Sequence, residues 1–242
     1  MTSALEPRYQ GRVVVVTGAR KGLGRILADY FLEQGASVVG ISRGEATITH
    51  VRYEHHAADV GDERAVRDVF LKVGRSYGSV DIVVNNAAVV AVRHALLTPA
   101  SQAEEMVRTN LLACFYVSRE AAKLMRRRAW GRIINIGSIA SVLAPVGEAM
   151  YAATKSATMT LTAVLAKEFA AYGITVNTVA VTALETDMLG QLPSESVSRL
   201  LASLPIPRLA KPDDVTNVID FFASPASDYI TAQTVFMGGI HQ

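Results

Sequence analysis

One short stretch near the start of the chain constrains the fold more than any other. Residues 13–24 read VVVVTGARKGLG, and apolar residues at helical spacing follow them. The β-branched run is typical of a strand buried on both faces. Glycines let backbone N–H groups approach a phosphate closely, and the start of the next helix adds about half a positive charge there. The order of strand, glycine turn and helix therefore predicts a pyrophosphate site.

The glycine spacing differs from that of the common dinucleotide fingerprint. It is Gly18-x-x-x-Gly22-x-Gly24 rather than Gly-x-Gly-x-x-Gly, although it makes the same demands on the backbone. An ordinary tight turn between a strand and a helix is the alternative. The candidate cofactor-binding residues of this turn are Gly18, Arg20, Lys21, Gly22, Leu23 and Gly24.

Length and composition favour one α/β domain spanning residues 1–242. Half of the 242 residues are hydrophobic, enough for a large core. The formal charge of +2 argues neither for nor against nucleic acid, and we expect no nucleic-acid partner. No apolar run approaches the ~18 residues of a membrane span, and no secretory pattern opens the chain. The single cysteine, Cys114, excludes internal disulfides, so we expect a cytoplasmic protein without a membrane partner.

The end of the predicted second strand, residues 36–41, indicates which dinucleotide binds. Ser42 and Arg43 follow this strand, where a site for NAD places an acid against the ribose 2′-hydroxyl. A 2′-phosphate needs positive charge instead, which Arg43, Arg20 and Lys21 supply. The pattern favours NADPH, and the alternative is that these are solvated surface cations.

Two further strands end in residues suited to the same cofactor. The third, residues 51–58, ends at Asp59 and Val60, and a helix follows over residues 63–77. The fourth, residues 80–85, runs into Asn86 and Ala87, which permit hydrogen bonds and close approach to the adenosine. An ordinary polar turn is the alternative. The histidines show no ligand spacing, so we expect no metal site.

A long helical pattern covers residues 101–128 and carries Asn110 in its middle. A polar residue of modest helix propensity needs a reason at that position. Three arginines at residues 126–128 end the helix, where cations complement its dipole. A docking patch for an acidic partner is the alternative for these arginines.

The chemistry is predicted at the fifth strand and the helix after it. Strand residues 132–137 lead to Ser138, and Tyr151 and Lys155 follow at an i, i+4 spacing that places them on one helix face. A nearby cation favours phenolate, so we expect Lys155 to lower the tyrosine pKa from its usual value of about 10. The hydroxyl of Ser138 is suited to a hydrogen bond with a substrate carbonyl oxygen. A chance pairing of tyrosine and lysine on a helix is the alternative.

Taken together, these motifs resemble the short-chain dehydrogenase/reductase family. They are the glycine turn with Thr17, Asp59-Val60, Asn85-Asn86-Ala87, Asn110, Ser138 and Tyr151-x-x-x-Lys155. Residues 207–215, 231–235 and Gly238-Gly239 extend the likeness to the 3-oxoacyl-carrier-protein reductase branch. The resemblance implies a single-domain Rossmann fold, a doubly wound seven-stranded parallel sheet with helices on both faces.

The same resemblance implies a role for each site residue. Tyr151 would be the general acid and Ser138 would orient the carbonyl. Lys155 would hold the nicotinamide ribose and lower the tyrosine pKa, Asn110 would anchor a water of the proton relay, and Thr186 would bind the nicotinamide amide. A homotetramer built on the two long helices is implied as well, with Ala152, Ala153, Ala157, Ala163 and Ala166 permitting close packing.

Two loops depart from the family pattern. Ala88 stands at the position of the glycine in the family's usual Asn-Asn-Ala-Gly. After the sixth strand, residues 174–180, Val181-Thr182 replaces the usual Pro-Gly. Residues 187–204 are expected to cover an apolar pocket through Met188, Leu189, Leu192, Val197, Leu200, Leu201 and Leu204. Simple packing of an amphipathic helix is the alternative for this segment.

The sequence therefore predicts an NADPH-dependent reductase that converts the ketone of a largely apolar substrate to a secondary alcohol. An alcohol dehydrogenase working in the oxidising direction and a cofactor-binding scaffold without turnover are the alternatives. The substrate is a small free ketone or one bound to a carrier protein. Tyr172 stands where the reductase branch often has a second basic residue, which favours the free ketone.

Overall fold

The computed structural model describes residues 7–184 and 194–240. Within them the chain forms a seven-stranded sheet in the order β3-β2-β1-β4-β5-β6-β7, and every neighbouring pair is parallel. The strands are β1 (Val13–Thr17), β2 (Ser37–Ser42), β3 (Tyr53–Ala57), β4 (Ile82–Asn85), β5 (Gly131–Ser138), β6 (Ile174–Val181) and β7 (Thr234–Phe236).

Helices connect these strands along the chain. They are α1 (Gly22–Glu33), α2 (Glu63–Tyr77), α3 (Ala100–Met106), α4 (Ala113–Met125), α5 (Ala140–Leu143), α6 (Ala149–Phe169), α7 (Ser194–Ser203) and α8 (Pro212–Ala223). A π-helical stretch, Val107–Leu112, joins α3 to α4, and short 3₁₀ turns occupy Ala95–Leu97, Arg126–Arg128, Ala170–Tyr172, Pro225–Ser227 and Met237–Gly239. None of the helices in the described ranges combines the length and apolar character that crossing a membrane requires.

The alternation of side chains along β1 divides the core into two layers. Val14 and Val16 pack with Leu27 and Phe31 of α1 and with residues of α8. Val15 points to the other face and packs with residues of α2, α4 and α6. Because both faces of the sheet are covered, the central strand β1 is buried along its whole length and is apolar from Val13 to Val16. The doubly wound Rossmann fold predicted from the sequence is thus confirmed.

The strand order reverses between β1 and β4, and this reversal places the site. In an open parallel sheet, ligands bind outside the carboxyl ends of the strands at such a switch point. The glycine turn after β1, the residues after β4 and the end of β5 all lie at this edge, because β1 pairs with β4 and β4 with β5. The connectivity therefore brings distant motifs of the sequence to one place.

The long helix predicted over residues 101–128 is present but is not a uniform α-helix. Its π-helical stretch contains Asn110, which is 1% exposed. The Asn110 amide accepts a hydrogen bond from the Val89 N–H at 2.8 Å and donates to the Val89 carbonyl at 2.9 Å. Single-turn π-bulges often mark functional sites. The polar residue in mid-helix thus has a structural reason, because it fixes the loop that follows β4.

Candidate active site

A cleft of about 540 Å³ lies at the carboxyl ends of the strands and brings the predicted site together. Three predicted catalytic residues and twelve predicted cofactor-binding residues line it. They are Ser138, Tyr151 and Lys155, with Gly18, Arg20, Lys21, Gly22, Leu23, Gly24, Ser42, Arg43, Asp59, Val60, Asn86 and Ala87. Asn110 does not line the cleft, and Thr186 lies outside the described residues.

The glycine turn has backbone geometry that only glycine adopts readily. Gly18 and Gly22 have φ values of +71° and +54°. A Cβ at Gly24 would lie 2.3 Å from the Gly18 carbonyl oxygen and 2.4 Å from Asn86 Nδ2. Asn86 fills the space beneath the turn and donates to the Thr17 carbonyl at 2.9 Å. The turn is therefore closely packed against the strand beneath it and leaves its outer face to a ligand.

Gly24→Ala is expected to destabilise the protein by about 1–3 kcal/mol, because the added methyl group has backbone on one side and Asn86 on the other. Thermal denaturation measures the change. Gly74→Ala is the matched control, since Gly74 also lies in a helix and its added Cβ would meet only the end of the Leu124 side chain, at 3.1 Å. The account would be wrong here if both variants melted at the same temperature.

One end of the cleft is basic. Arg20 and Arg43 are exposed there, and Arg43 forms a long surface ion pair of 3.4 Å with Glu105. Exposed pairs of this kind contribute little, so they do not hold the guanidinium away from a ligand. The acid on this wall, Asp59, pairs with Arg108 and accepts from the Gly61 N–H. The residues present fit a 2′-phosphate better than a 2′-hydroxyl.

The other end of the cleft holds the predicted catalytic residues. The side chains of Tyr151 and Ser138 both line the cleft there, and Ser138 Oγ accepts a hydrogen bond from the Ala140 N–H at 3.1 Å. The Lys155 amine lies 5.8 Å from the centroid of the Tyr151 ring and donates to the Ile136 carbonyl at 2.7 Å. Tyr151 and Lys155 are 8% and 4% exposed. The three side chains thus share one largely dry corner.

The expected direction of the tyrosine pKa is wrong. Burial raises the pKa of Tyr151 to about 12, and the interaction with the Ser138 hydroxyl, which lowers it, opposes this only in part. Burial also lowers the pKa of the Lys155 ammonium, because the interior penalises its charge. Desolvation therefore outweighs the cation. Tyr151 is held as the neutral phenol, which is the form that donates a proton.

Asn110 supports the catalytic residues from behind the cleft. Its Nδ2 atom lies 3.2 Å from Thr154 Oγ1, and that hydroxyl donates to the Tyr151 carbonyl at 2.8 Å. The Asn110 side chain thus makes hydrogen bonds to Thr154 and to the backbone of Val89. The Asn110 backbone carbonyl accepts from Cys114 Sγ at 3.3 Å and from Thr158 Oγ1 at 3.4 Å. The role of Asn110 in anchoring a relay water stays a prediction.

Sequence reasoning missed two residues of this site. Thr154 joins Asn110 to the backbone of Tyr151. The sequence feature that could have identified it is its position three residues after the tyrosine, on the same side of the helix. Glu148 lines the cleft one turn before Tyr151. Its signal was an acidic residue directly before the first turn of α6.

The two loops that depart from the family pattern also line the cleft. Ala88 follows β4, while Val181 ends β6 and is followed by Thr182, which is 7% exposed. Of the expected cover, Met188, Leu189 and Leu192 lie outside the described residues. Leu200 of α7 lines the cleft and Leu204 is buried. No group of three or more potential metal ligands is found in the residues that the structure describes.

Comparison with known proteins gives a consistent result along most of the chain. A family model described as short chain dehydrogenase matches residues 12–196. The 3-oxoacyl-(acyl-carrier-protein) reductase FabG of Vibrio cholerae is 33% identical over 236 residues, covering 95% of this chain and 97% of that protein. FabG of Escherichia coli is 32% identical over 237 residues, covering 96% and 97%.

Solved structures share the architecture. A structure from Agrobacterium tumefaciens, provisionally named a gluconate dehydrogenase, has a TM-score of 0.88 and 31% identity over 96% of both chains. The aldohexose dehydrogenase of Thermoplasma acidophilum has a TM-score of 0.88 and 25% identity, covering 96% of this chain and 95% of that one. The predicted resemblance is thus confirmed.

Proposed function

Because this chain belongs to the short-chain dehydrogenase family, we propose that it is an NADPH-dependent reductase acting on the ketone of a largely apolar substrate. The product is a secondary alcohol. The observation that carries the proposal is the single cleft in which Ser138, Tyr151 and Lys155 lie at one end and basic residues at the other. We assign residues 1–242 to one dinucleotide-binding and catalytic domain.

The residues of the cleft divide the work of the reaction. When bound, NADPH would supply the hydride for the carbonyl carbon. Ser138 orients the carbonyl oxygen by a hydrogen bond, and Tyr151 donates its phenolic proton to it. Its raised pKa keeps the phenol protonated at neutral pH. Lys155 holds the nicotinamide ribose, Thr186 the nicotinamide amide, and Asn110 a water of the relay that reprotonates Tyr151.

The residues that line the cleft would also hold the rest of NADPH. The glycine turn of Gly18, Gly22 and Gly24, with Leu23, would hold the pyrophosphate at the start of α1. Arg20, Lys21, Ser42 and Arg43 would hold the 2′-phosphate. Asp59, Val60, Asn86 and Ala87 would contact the adenosine. Apolar side chains at the catalytic end, including Val89, Leu143 and Leu200, receive the apolar part of the ketone.

Steady-state kinetics with NADPH and NADH against a panel of neutral ketones test this proposal. We expect turnover with NADPH and a lower kcat/KM with NADH. If the protein oxidises secondary alcohols but reduces no ketone, it is an alcohol dehydrogenase working in the oxidising direction, since the same residues serve both directions. A protein that NADPH stabilises against heat but that turns over nothing would be the cofactor-binding scaffold, and the proposal would be wrong.

The carrier, the assembly and the compartment belong to the same proposal. A carrier-bound substrate would meet the exposed arginines at residues 126–128, and the relatives named for acyl-carrier-protein reduction support it. A homotetramer would pack α6 against a second copy. Ala153 is exposed there, whereas Ala166 is fully buried in its own core, so its predicted part in that packing is wrong. The unpaired, buried thiol of Cys114 is compatible with the cytoplasm.

A further inference from the structure

Glu148 is an acidic side chain at the catalytic end of the cleft, and no other residue in the described part of the chain binds its carboxyl group. It lies at the N-cap of α6, three residues before Tyr151, and its side chain does not cap the helix. It lines the cleft with Ser138 and Tyr151 and is partly buried. Within residues 7–184 and 194–240, its carboxyl group makes no hydrogen bond or ion pair.

Apolar side chains line the cleft together with this carboxyl group. They include Ile139, Leu143, Pro145 and Leu184. The cation lining this end is Lys155, whose amine donates to the Ile136 carbonyl. Arg20, Lys21 and Arg43 line the opposite, cofactor end of the same cleft. Glu148 thus places an acidic group among the side chains that line the cleft.

A carboxyl group removed from water without a partner is unfavourable unless a ligand restores its hydrogen bonds. Burial raises the pKa of Glu148, which is the expected response of an acid in such surroundings. Glu148 precedes Tyr151 by three residues at the start of α6, and both side chains line the cleft. Its negative charge also contributes to raising the pKa of Tyr151. A substrate whose carbonyl meets Tyr151 therefore brings its neighbouring atoms to Glu148.

We propose that Glu148 is a specificity-determining residue that accepts a hydrogen bond from a donor group of the substrate, adjacent to the ketone. The substrate class is a ketone with a neighbouring hydroxyl or protonated amine on an otherwise apolar skeleton. A ketone with a carboxylate at that position is rejected by like charge. This inference rests on the proposed reductase function and names the substrate class of the same site.

Four ketones of matched size test the inference: unsubstituted, α-hydroxy, α-ammonium and α-carboxylate. Wild type is expected to have a kcat/KM for one of the two donor-bearing ketones about 10- to 100-fold above that for the unsubstituted ketone. Glu148→Met removes the polar group at similar length, and we expect it to bring the ratio of kcat/KM for the preferred ketone to that for the unsubstituted ketone down to about one, whatever the change in overall turnover.

Glu148→Gln separates the two donors. An amide oxygen still accepts from a hydroxyl but no longer attracts an ammonium, so the hydroxyketone preference survives in this variant and an aminoketone preference does not. Glu33→Met is the matched control, because Glu33 is exposed at the end of α1 and does not line the cleft. Melting temperatures confirm that each variant is folded.

Two results would overturn the inference. One is a wild type that prefers the unsubstituted or the carboxylate-bearing ketone. The other is a Glu148→Met variant that loses turnover of all four ketones equally, which would make the residue structural. Either result leaves the reductase function standing, because wild type still reduces a ketone. Failure of the proposed function looks different, since wild type would then reduce none of the four.

Discussion

Tyr151→Phe is expected to lower kcat for ketone reduction by about 10²- to 10⁴-fold, the usual contribution of a positioned general acid. The variant loses only the hydroxyl group, which donates the proton, and it keeps the aromatic ring that fills the site. NADPH affinity should change little, because the proton is transferred only in the reaction. Stopped-flow or steady-state loss of NADPH absorbance measures kcat, and thermal shift with NADPH measures binding.

Tyr77→Phe is the matched control for this experiment. Burial also raises the pKa of Tyr77 to about 12, the interaction of its hydroxyl with Glu54 acts in the same direction, and Tyr77 does not line the cleft. The substitution is chemically the same and also removes only a hydroxyl group. Equal losses in the two variants would indicate a general effect on the fold and would contradict the role of Tyr151.

Removing the basic end of the cleft is expected to lower the preference for NADPH over NADH by about 10²-fold. The double variant Arg20→Ala, Arg43→Ala deletes two guanidinium groups, and a hydrogen bond to a charged group contributes about 1.5–3 kcal/mol, less where it is exposed. The loss should fall on KM for NADPH, with kcat and the parameters for NADH nearly unchanged. Steady-state kinetics with both cofactors measure the ratio.

The double variant Arg126→Ala, Arg127→Ala makes the same change of charge away from the cleft. These arginines lie in an exposed 3₁₀ turn and do not line the site. Their removal should leave the cofactor ratio unchanged at constant ionic strength. A wild type that prefers NADH, or a ratio that falls equally in both double variants, would contradict the assignment of the phosphate site.

The sequence predicted the fold and most of the cleft because the signals involved are local. A β-branched run before glycines defines β1 and its turn, and the spacing of Tyr151 and Lys155 defines a helix face. The helix predicted over residues 63–77 has those bounds in the structure, since Asp62 caps it and Gly78 follows it. Parallel connectivity then gathers these motifs at one edge.

The features that were missed depend on tertiary packing. The pKa of Tyr151 is raised because its surroundings exclude water, and sequence spacing reports only that Lys155 is near. Ala166 is buried because α6 is rotated so that this residue faces its own sheet. The sequence does not predict that rotation, because apolar residues are not confined to one face of α6. The sequence does not show that Glu148 lines the cleft, because the path of the loop after β5 determines this. Burial and orientation are properties of the whole fold.

The most direct test of the account follows one hydrogen atom. Wild type and the Tyr151→Phe variant are incubated with NADPH deuterated at the reactive carbon and with a neutral ketone, and the product is examined by mass spectrometry and NMR. The account predicts a secondary alcohol with one deuterium on its carbinol carbon from wild type and almost none from the variant. An unlabelled product, or none from a wild type that NADPH stabilises against heat, would contradict it.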